Sequence, residues 1–141
     1  MEHIRTRLFT VEEANRLVPY LEESLASLEN LSRDLAVLRR EIEVLAAIAG
    51  SGASAGNADV RALREKGVRS EEMLGRFRER LREVAGRGCV LRDLEIGLVD
   101  FHTTSAGRIV CLCWRRGEPE ITHWHPMDQG FAGRRPLSEL R

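Results

Sequence analysis

Apolar residues in the first half of the chain recur at steps of three and four, the spacing of one helix face. The first stripe consists of Leu17, Leu21, Leu25, Leu28, Leu31, Leu35, Leu38, Ile42 and Leu45. A second stripe consists of Val60, Leu63, Gly67, Ser70, Leu74, Phe77, Leu81 and Val84. Charged residues fill the intervening positions. We therefore predict two long, coiled-coil-like helices that form an antiparallel hairpin.

Local signals predict where these helices begin, bend and end. Thr10 and Glu13 have the spacing of a capping box, in which each side chain binds the other residue's backbone N–H. A proline within the first stripe predicts a kink near Leu17, because proline lacks the N–H that a helix interior needs. A run of Gly, Ser and Ala predicts a loop near residues 50–57. The helical hairpin is thus expected to span residues 10–87.

The sequence of the remaining third of the chain is typical of a β-sheet. Short runs rich in Val, Ile, Cys, Trp and Phe alternate with Gly, Pro and Asp turns, and they cover residues 89–91, 98–103, 108–114 and 120–125. We predict a small three- to four-stranded antiparallel sheet within residues 88–126, followed by an irregular tail over 127–141. The predicted fold class is α+β, with residues 1–141 as a single domain.

Side chains alternate between the two faces of a strand, so each strand can be sorted by parity. One predicted face is apolar and is expected to bury against the helices; it contains Val99, Phe101, Val110, Leu112, Trp114 and Trp124. The opposite face, predicted to be exposed, collects potential metal ligands: Asp100, His102, Cys111, Cys113, His123 and His125.

This second face predicts a transition-metal site. His123 and His125 are two residues apart, so their Cα atoms lie about 7 Å apart and both rings can reach one ion. Cys113, Cys111 or Asp100 on neighbouring strands would complete the set. Thiolate and imidazole donors suit zinc or iron better than magnesium or calcium. The alternative is a structural face, in which the cysteines are small buried hydrophobic residues and the histidines are solvated.

Composition narrows the class of protein. Of the 141 residues 43% are hydrophobic and 31% charged, as is typical of a folded chain. The 22 basic residues balance the 22 acidic ones, which argues against a nucleic-acid or membrane-surface partner. Three cysteines, of which Cys89 is expected in the core, fit a reducing cytosol, so we expect a cytoplasmic protein.

Several short motifs along the chain resemble those of a known protein family. They are the Gly-Leu-Val-Asp-Phe at 97–101, the Val-Cys-Leu-Cys-Trp at 110–114, the Gly-Glu at 117–118, the Trp-His at 124–125, the Gly-Phe-Ala-Gly-Arg at 130–134, the Phe-Thr-Val-Glu-Glu-Ala-Asn at 9–15, and Pro19. Together they resemble a bacterial family catalogued as domain of unknown function 2203. The resemblance covers nearly the whole chain and implies no established activity.

The resemblance implies a ranking of the candidate residues. The family pattern shares Asp100, Cys113, Glu118, His125 and Arg134 with this chain. It departs from the chain at His102, Cys111 and His123. The resemblance thus favours Asp100, Cys113, Glu118 and His125 as metal ligands, and His123 stays a candidate because of its spacing from His125.

Two of the shared residues have more than one interpretation. Glu118 follows the third predicted strand, where it is either a carboxylate ligand, a partner that orients an imidazole, or a cap for backbone N–H groups of the turn. Arg134 is predicted to form an ion pair or hydrogen bond with the sheet.

Two functions are consistent with these patterns. The first is binding of zinc, iron or nickel on the sheet face by His, Cys and carboxylate ligands. The alternative is a non-enzymatic interaction or homodimerisation module, because the long leucine stripe exceeds what one partner helix can cover. Since no phosphate-binding loop or nucleophile elbow is present, no reaction class is assigned.

Overall fold

Helices come first along the chain and strands follow, as the hydrophobic pattern predicts. The computed structural model describes residues 7–50 and 57–141. Its helices are α1 (Val11–Arg16), α2 (Val18–Gly50) and α3 (Asn57–Gly86). Its strands are β1 (Val90–Asp93), β2 (Leu98–Ser105), β3 (Arg108–Arg115), β4 (His123–Pro126) and β5 (Arg135–Pro136). The predicted α+β class is confirmed, while most of the loop predicted near 50–57 lies outside the described residues.

The start of α1 and its boundary with α2 follow directly from the local sequence. The Glu13 N–H donates to Thr10 Oγ1 at 3.1 Å, and the Thr10 N–H donates to Glu13 Oε1 at 3.0 Å, which confirms the capping box. Helix α1 ends at Arg16 and α2 begins at Val18. The intervening Leu17 is a turn, as expected where a following proline cannot supply a helical N–H.

Two compact units divide the described chain. The first consists of the described residues up to Ser27 together with Leu81–Arg141, and it contains the sheet; the second consists of the described residues from Leu28 to Arg80. Within the second unit, α2 and α3 contact each other through a cluster of Leu35, Leu38 and Met73. None of the helices in residues 7–50 and 57–141 is both long and apolar enough to cross a membrane.

The strands pair antiparallel in the order β1-β2-β3-β4-β5. A two-residue turn at Ala106 and Gly107 joins β2 to β3, with φ of 50° and 77°. Positive φ at both positions matches the right-handed twist of the flanking strands, and glycine takes this conformation without strain. The turn fixes the register in which Phe101 lies opposite Leu112.

The sheet has five strands rather than the predicted three to four. Strand β4 begins at His123, three residues later than predicted, because the Ile121 N–H donates to Asn15 Oδ1 at 2.7 Å instead of to a strand. Strand β5 lies within the tail predicted to be irregular, where Arg135 pairs with Trp124. The Trp124 indole Nε1 donates to the carbonyl of Pro136 at 3.2 Å, which holds this short strand in place.

The apolar face of the sheet is confirmed as core. All six of its predicted residues are buried: Val99, Phe101, Val110, Leu112, Trp114 and Trp124. Phe9, just before α1, packs edge-to-face on Phe101 with ring centroids 5.1 Å apart. The Phe9 N–H also donates to the carbonyl of His102 at 2.8 Å. The chain entering the first helix is therefore attached to the sheet.

Candidate metal centre

Strand register brings the predicted polar face together in two rows. In one row Asp100, Cys113 and His123 are neighbours across β2, β3 and β4. In the next row His102, Cys111 and His125 are neighbours across the same strands. Paired residues of an antiparallel sheet point to the same side, so all six side chains share one face.

Three of these side chains converge on one point. One ligand atom from each of Asp100, Cys113 and His125 lies within 4.8 Å of the other two. The residues are 2%, 1% and 2% exposed, so the group is closed to solvent. Donors about 2.0–2.3 Å from a tetrahedral zinc lie about 3.5 Å apart, so small side-chain movements would fit one ion.

Hydrogen bonds fix both the imidazole and the carboxylate of this group. The His125 Nδ1 atom lies 2.8 Å from the carbonyl oxygen of Pro126, and Nε2 lies 3.0 Å from Asp100 Oδ1. The Arg92 Nε–H donates to the other carboxylate oxygen, Asp100 Oδ2, at 2.9 Å. Each of the two side chains is thus held at one atom and turns its other atom towards the group.

The two cysteines of the face are protonated thiols in this environment. Burial, together with the nearby Asp100 carboxylate, raises the pKa of the Cys113 thiol to about 11, while the Arg134 guanidinium opposes both effects. Burial also raises the pKa of the Cys111 thiol to about 11. The Cys111 thiol donates to the Met127 sulfur at 3.4 Å. Cys89 is buried, as predicted.

The group is buried, whereas the sequence pattern predicted an exposed face. The cover comes from residues beyond the three central strands. Arg92 reaches over Asp100 from β1, Met127 contacts Cys111 from the segment after β4, and the Arg134 Nη2–H donates to the carbonyl of Cys113 at 3.1 Å. Strand alternation predicts the side of the sheet to which a side chain points. It does not predict whether a later segment of the chain covers that side.

The other two candidate ligands, His123 and Glu118, lie outside the three-residue group. The His123 Nδ1 atom lies 2.8 Å from the hydroxyl of Thr122, and the residue is half-buried. Glu118 Oε1 accepts the backbone N–H of Arg115 at 2.6 Å, as expected of a turn cap. The same oxygen accepts from Arg134 Nη2 at 2.6 Å, which confirms that Arg134 pairs with the sheet region.

Arg92 is the partner that the sequence pattern missed. The only sequence feature that could have indicated Arg92 is a basic residue on the strand next to Asp100. Many surface strands carry a basic residue, so this feature is not specific. A β-bulge between Leu91 and Asp93 shifts the register at that position. Arg92 is the extra residue of this bulge, and its Nε–H reaches Asp100 Oδ2 from β1.

The comparisons with known proteins place the chain in a family. Residues 7–137 match the model of DUF2203, described as an uncharacterized conserved protein. No curated protein and no solved structure matches the chain. The match extends from the segment before the capping box through all five strands, so the chain belongs to the DUF2203 family.

Proposed function

We propose that the protein binds one transition-metal ion, such as zinc, iron or nickel, through Asp100, Cys113 and His125. One nitrogen, one sulfur and one oxygen donor form a set that suits these ions and not magnesium or calcium. All three donors are almost completely buried. An ion bound there would stabilise the sheet, because a substrate could not reach it.

The orientation of the His125 ring is the observation that carries this proposal. The Pro126 carbonyl can only accept a hydrogen bond, so the hydrogen of a neutral imidazole lies on Nδ1. The Nε2 lone pair then faces Asp100 Oδ1 at 3.0 Å. A nitrogen lone pair and a carboxylate oxygen repel each other unless a cation lies between them. A metal-binding histidine typically has this arrangement, with its other nitrogen donating to a carbonyl.

A proton is the competing cation at this position, and titration with zinc distinguishes the two. We expect zinc to bind the chelator-treated protein with a stoichiometry of about one. We expect His125→Ala to weaken that binding by more than about 100-fold, because it removes a ligand. Isothermal titration calorimetry measures both quantities.

His123→Ala is the matched control for this titration. His123 is on the same strand and the same face, two residues before His125, but it lies outside the three-residue group. Its substitution is expected to change zinc affinity less than about threefold. Equal losses in the two variants would refute the three-residue site.

Homodimerisation through the helices is the second candidate function, and exposed apolar residues favour it. Val37 and Val44 are 50% and 59% exposed and lie one heptad apart on α2. They line a groove of about 550 Å³ together with Leu45 and Lys66. The contacts of Lys66 with Glu41, at 2.6 Å, and of Met73 with Leu35 and Leu38 support an antiparallel α2–α3 hairpin. A second copy of such a hairpin would complete a four-helix bundle.

The dimer is tested by placing a charge on the exposed face. We expect the wild-type chain to have twice the monomer mass in multi-angle light scattering, and Val44→Glu to reduce it to the monomer mass. A glutamate at this position would be buried and unpaired in a bundle, which costs several kcal/mol. A wild-type monomer over the same concentration range would exclude the dimer.

A further inference from the structure

Arg134 is a largely buried arginine beside the candidate metal centre. Only 13% of its side chain is exposed. Its Nη2 atom donates to the carbonyl of Cys113 at 3.1 Å and to Glu118 Oε1 at 2.6 Å. Its Nε atom is buried and has no hydrogen-bond acceptor in residues 7–50 and 57–141. The guanidinium thus has one buried N–H group that donates to none of the described groups of the protein.

Glu118 holds this arginine and the end of β3 together. Its Oε1 atom accepts the backbone N–H of Arg115 at 2.6 Å as well as the Arg134 guanidinium. Its backbone carbonyl accepts the indole N–H of Trp114 at 2.9 Å. Three consecutive residues, from Cys113 to Arg115, are thereby held by the Arg134 side chain and by the side chain and backbone carbonyl of Glu118. A ligand at the first of these positions has little freedom to move.

We propose that Arg134, held by Glu118, is a positioning residue for the metal: it fixes Cys113 and donates its Nε–H to the metal-bound sulfur. This inference rests on the proposed function. A metal-bound Cys113 sulfur would supply the acceptor that the buried Nε–H lacks. The guanidinium already lies against the residue that carries the sulfur, because its Nη2 atom donates to the Cys113 carbonyl at 3.1 Å.

An N–H donor beside a metal-bound thiolate has two chemical effects. It neutralises part of the sulfur's negative charge in a site closed to water, which stabilises the bound ion. It also lowers the energy of the sulfur lone pairs, so charge transfer from sulfur to metal needs more energy. The second effect is specific to hydrogen bonding at the sulfur, because a purely structural role elsewhere in the sheet would leave it unchanged.

Titration of the full-length chelator-treated chain with Co²⁺ tests the inference, because cobalt gives a thiolate charge-transfer band. We expect Arg134→Lys to weaken cobalt binding about 10- to 100-fold, as is typical for the loss of a group that supports a metal ligand. We also expect the band of the fully loaded variant to shift to lower energy, because lysine has no Nε–H at that position. Glu118→Gln is expected to act in the same direction with a smaller shift, because it removes the charge that holds the guanidinium.

Arg135→Lys is the matched control for this experiment. Arg135 is the next residue, it is exposed, and its guanidinium carbon lies 5.4 Å from the ring centroid of Trp124. Neither affinity nor band position should change in this variant. Wild-type binding with an unchanged band in both Arg134→Lys and Glu118→Gln would overturn the inference and leave the proposed function standing. Failure of the wild-type chain to bind cobalt or zinc would overturn the proposed function and, with it, this inference.

Discussion

Asp100→Ala is expected to lower the free energy of unfolding by about 2–3 kcal/mol, because it leaves the buried His125 without its partner and the half-exposed Arg92 without its counter-ion. The carboxylate is 3% exposed, accepts the Arg92 Nε–H and lies 3.0 Å from the His125 Nε2 atom. Without it, the buried His125 Nε2 atom loses its partner and cannot reach water. Urea unfolding in the presence of a chelator measures this effect without any contribution from metal.

Asp128→Ala serves as the control for this prediction. Asp128 is an exposed aspartate in the segment after β4, and its substitution is expected to change stability by less than about 0.5 kcal/mol. A loss of less than about 1 kcal/mol for Asp100→Ala would mean that the Arg92–Asp100–His125 contacts do not stabilise the fold.

Phe101→Ala is expected to lower the free energy of unfolding by about 3–5 kcal/mol, through lost burial and the cavity that remains. Phe101 is completely buried at the centre of β2 and contacts the Phe9 ring. The contact between Phe9 and Phe101 holds the start of the helical segment against the sheet. Neighbouring side chains can therefore move little to fill the cavity that the substitution leaves. Urea unfolding, monitored by the fluorescence of the two tryptophans, measures the loss.

Phe131→Ala is the matched control for the core substitution. Phe131 is 40% exposed and contacts the guanidinium groups of Arg115 and Arg134. Its substitution is expected to lower stability by about 1 kcal/mol or less, because much of the ring is already in water. If both phenylalanine variants lost the same stability, Phe101 would not be a centre of the core.

Local chemistry predicted those parts of the fold that depend on neighbouring residues. The capping box at Thr10 and the break at Leu17 require only side chains within one helical turn, and both are present. Strand β5 could not be predicted in this way. It consists of Arg135 and Pro136 alone and depends on pairing with β4, including the bond from Trp124 Nε1. A strand of two residues has no periodicity of its own to detect.

Strand parity placed all the ligands of the candidate site on one face but did not select among them. Asp100 lies directly opposite Cys113, whereas its contact with His125 is diagonal, because His125 lies opposite Cys111. Whether a diagonal pair meets depends on side-chain rotamers and on what holds them. The Pro126 carbonyl determines the orientation of the His125 ring, and no sequence spacing encodes that contact.

Burial changes the role that the metal would have. An exposed site would have left a coordination position for a substrate, whereas Asp100, Cys113 and His125 are all buried, and Arg92 and Arg134 contact two of them. Binding of an ion to such a closed group stabilises the folded chain by mass action, since the unfolded chain lacks the site. The proposed metal is thus coupled to the stability of the sheet.

Elemental analysis by mass spectrometry of the untagged, purified chain tests the central claim most directly, with His125→Ala as the comparison. The account predicts about one equivalent of zinc, iron or nickel in the wild-type chain, and its loss in the variant, because the imidazole is one of the three donors that the described residues bring together. Less than about a tenth of an equivalent of any transition metal in the wild-type chain would contradict it, since a closed three-donor site should retain its ion through purification.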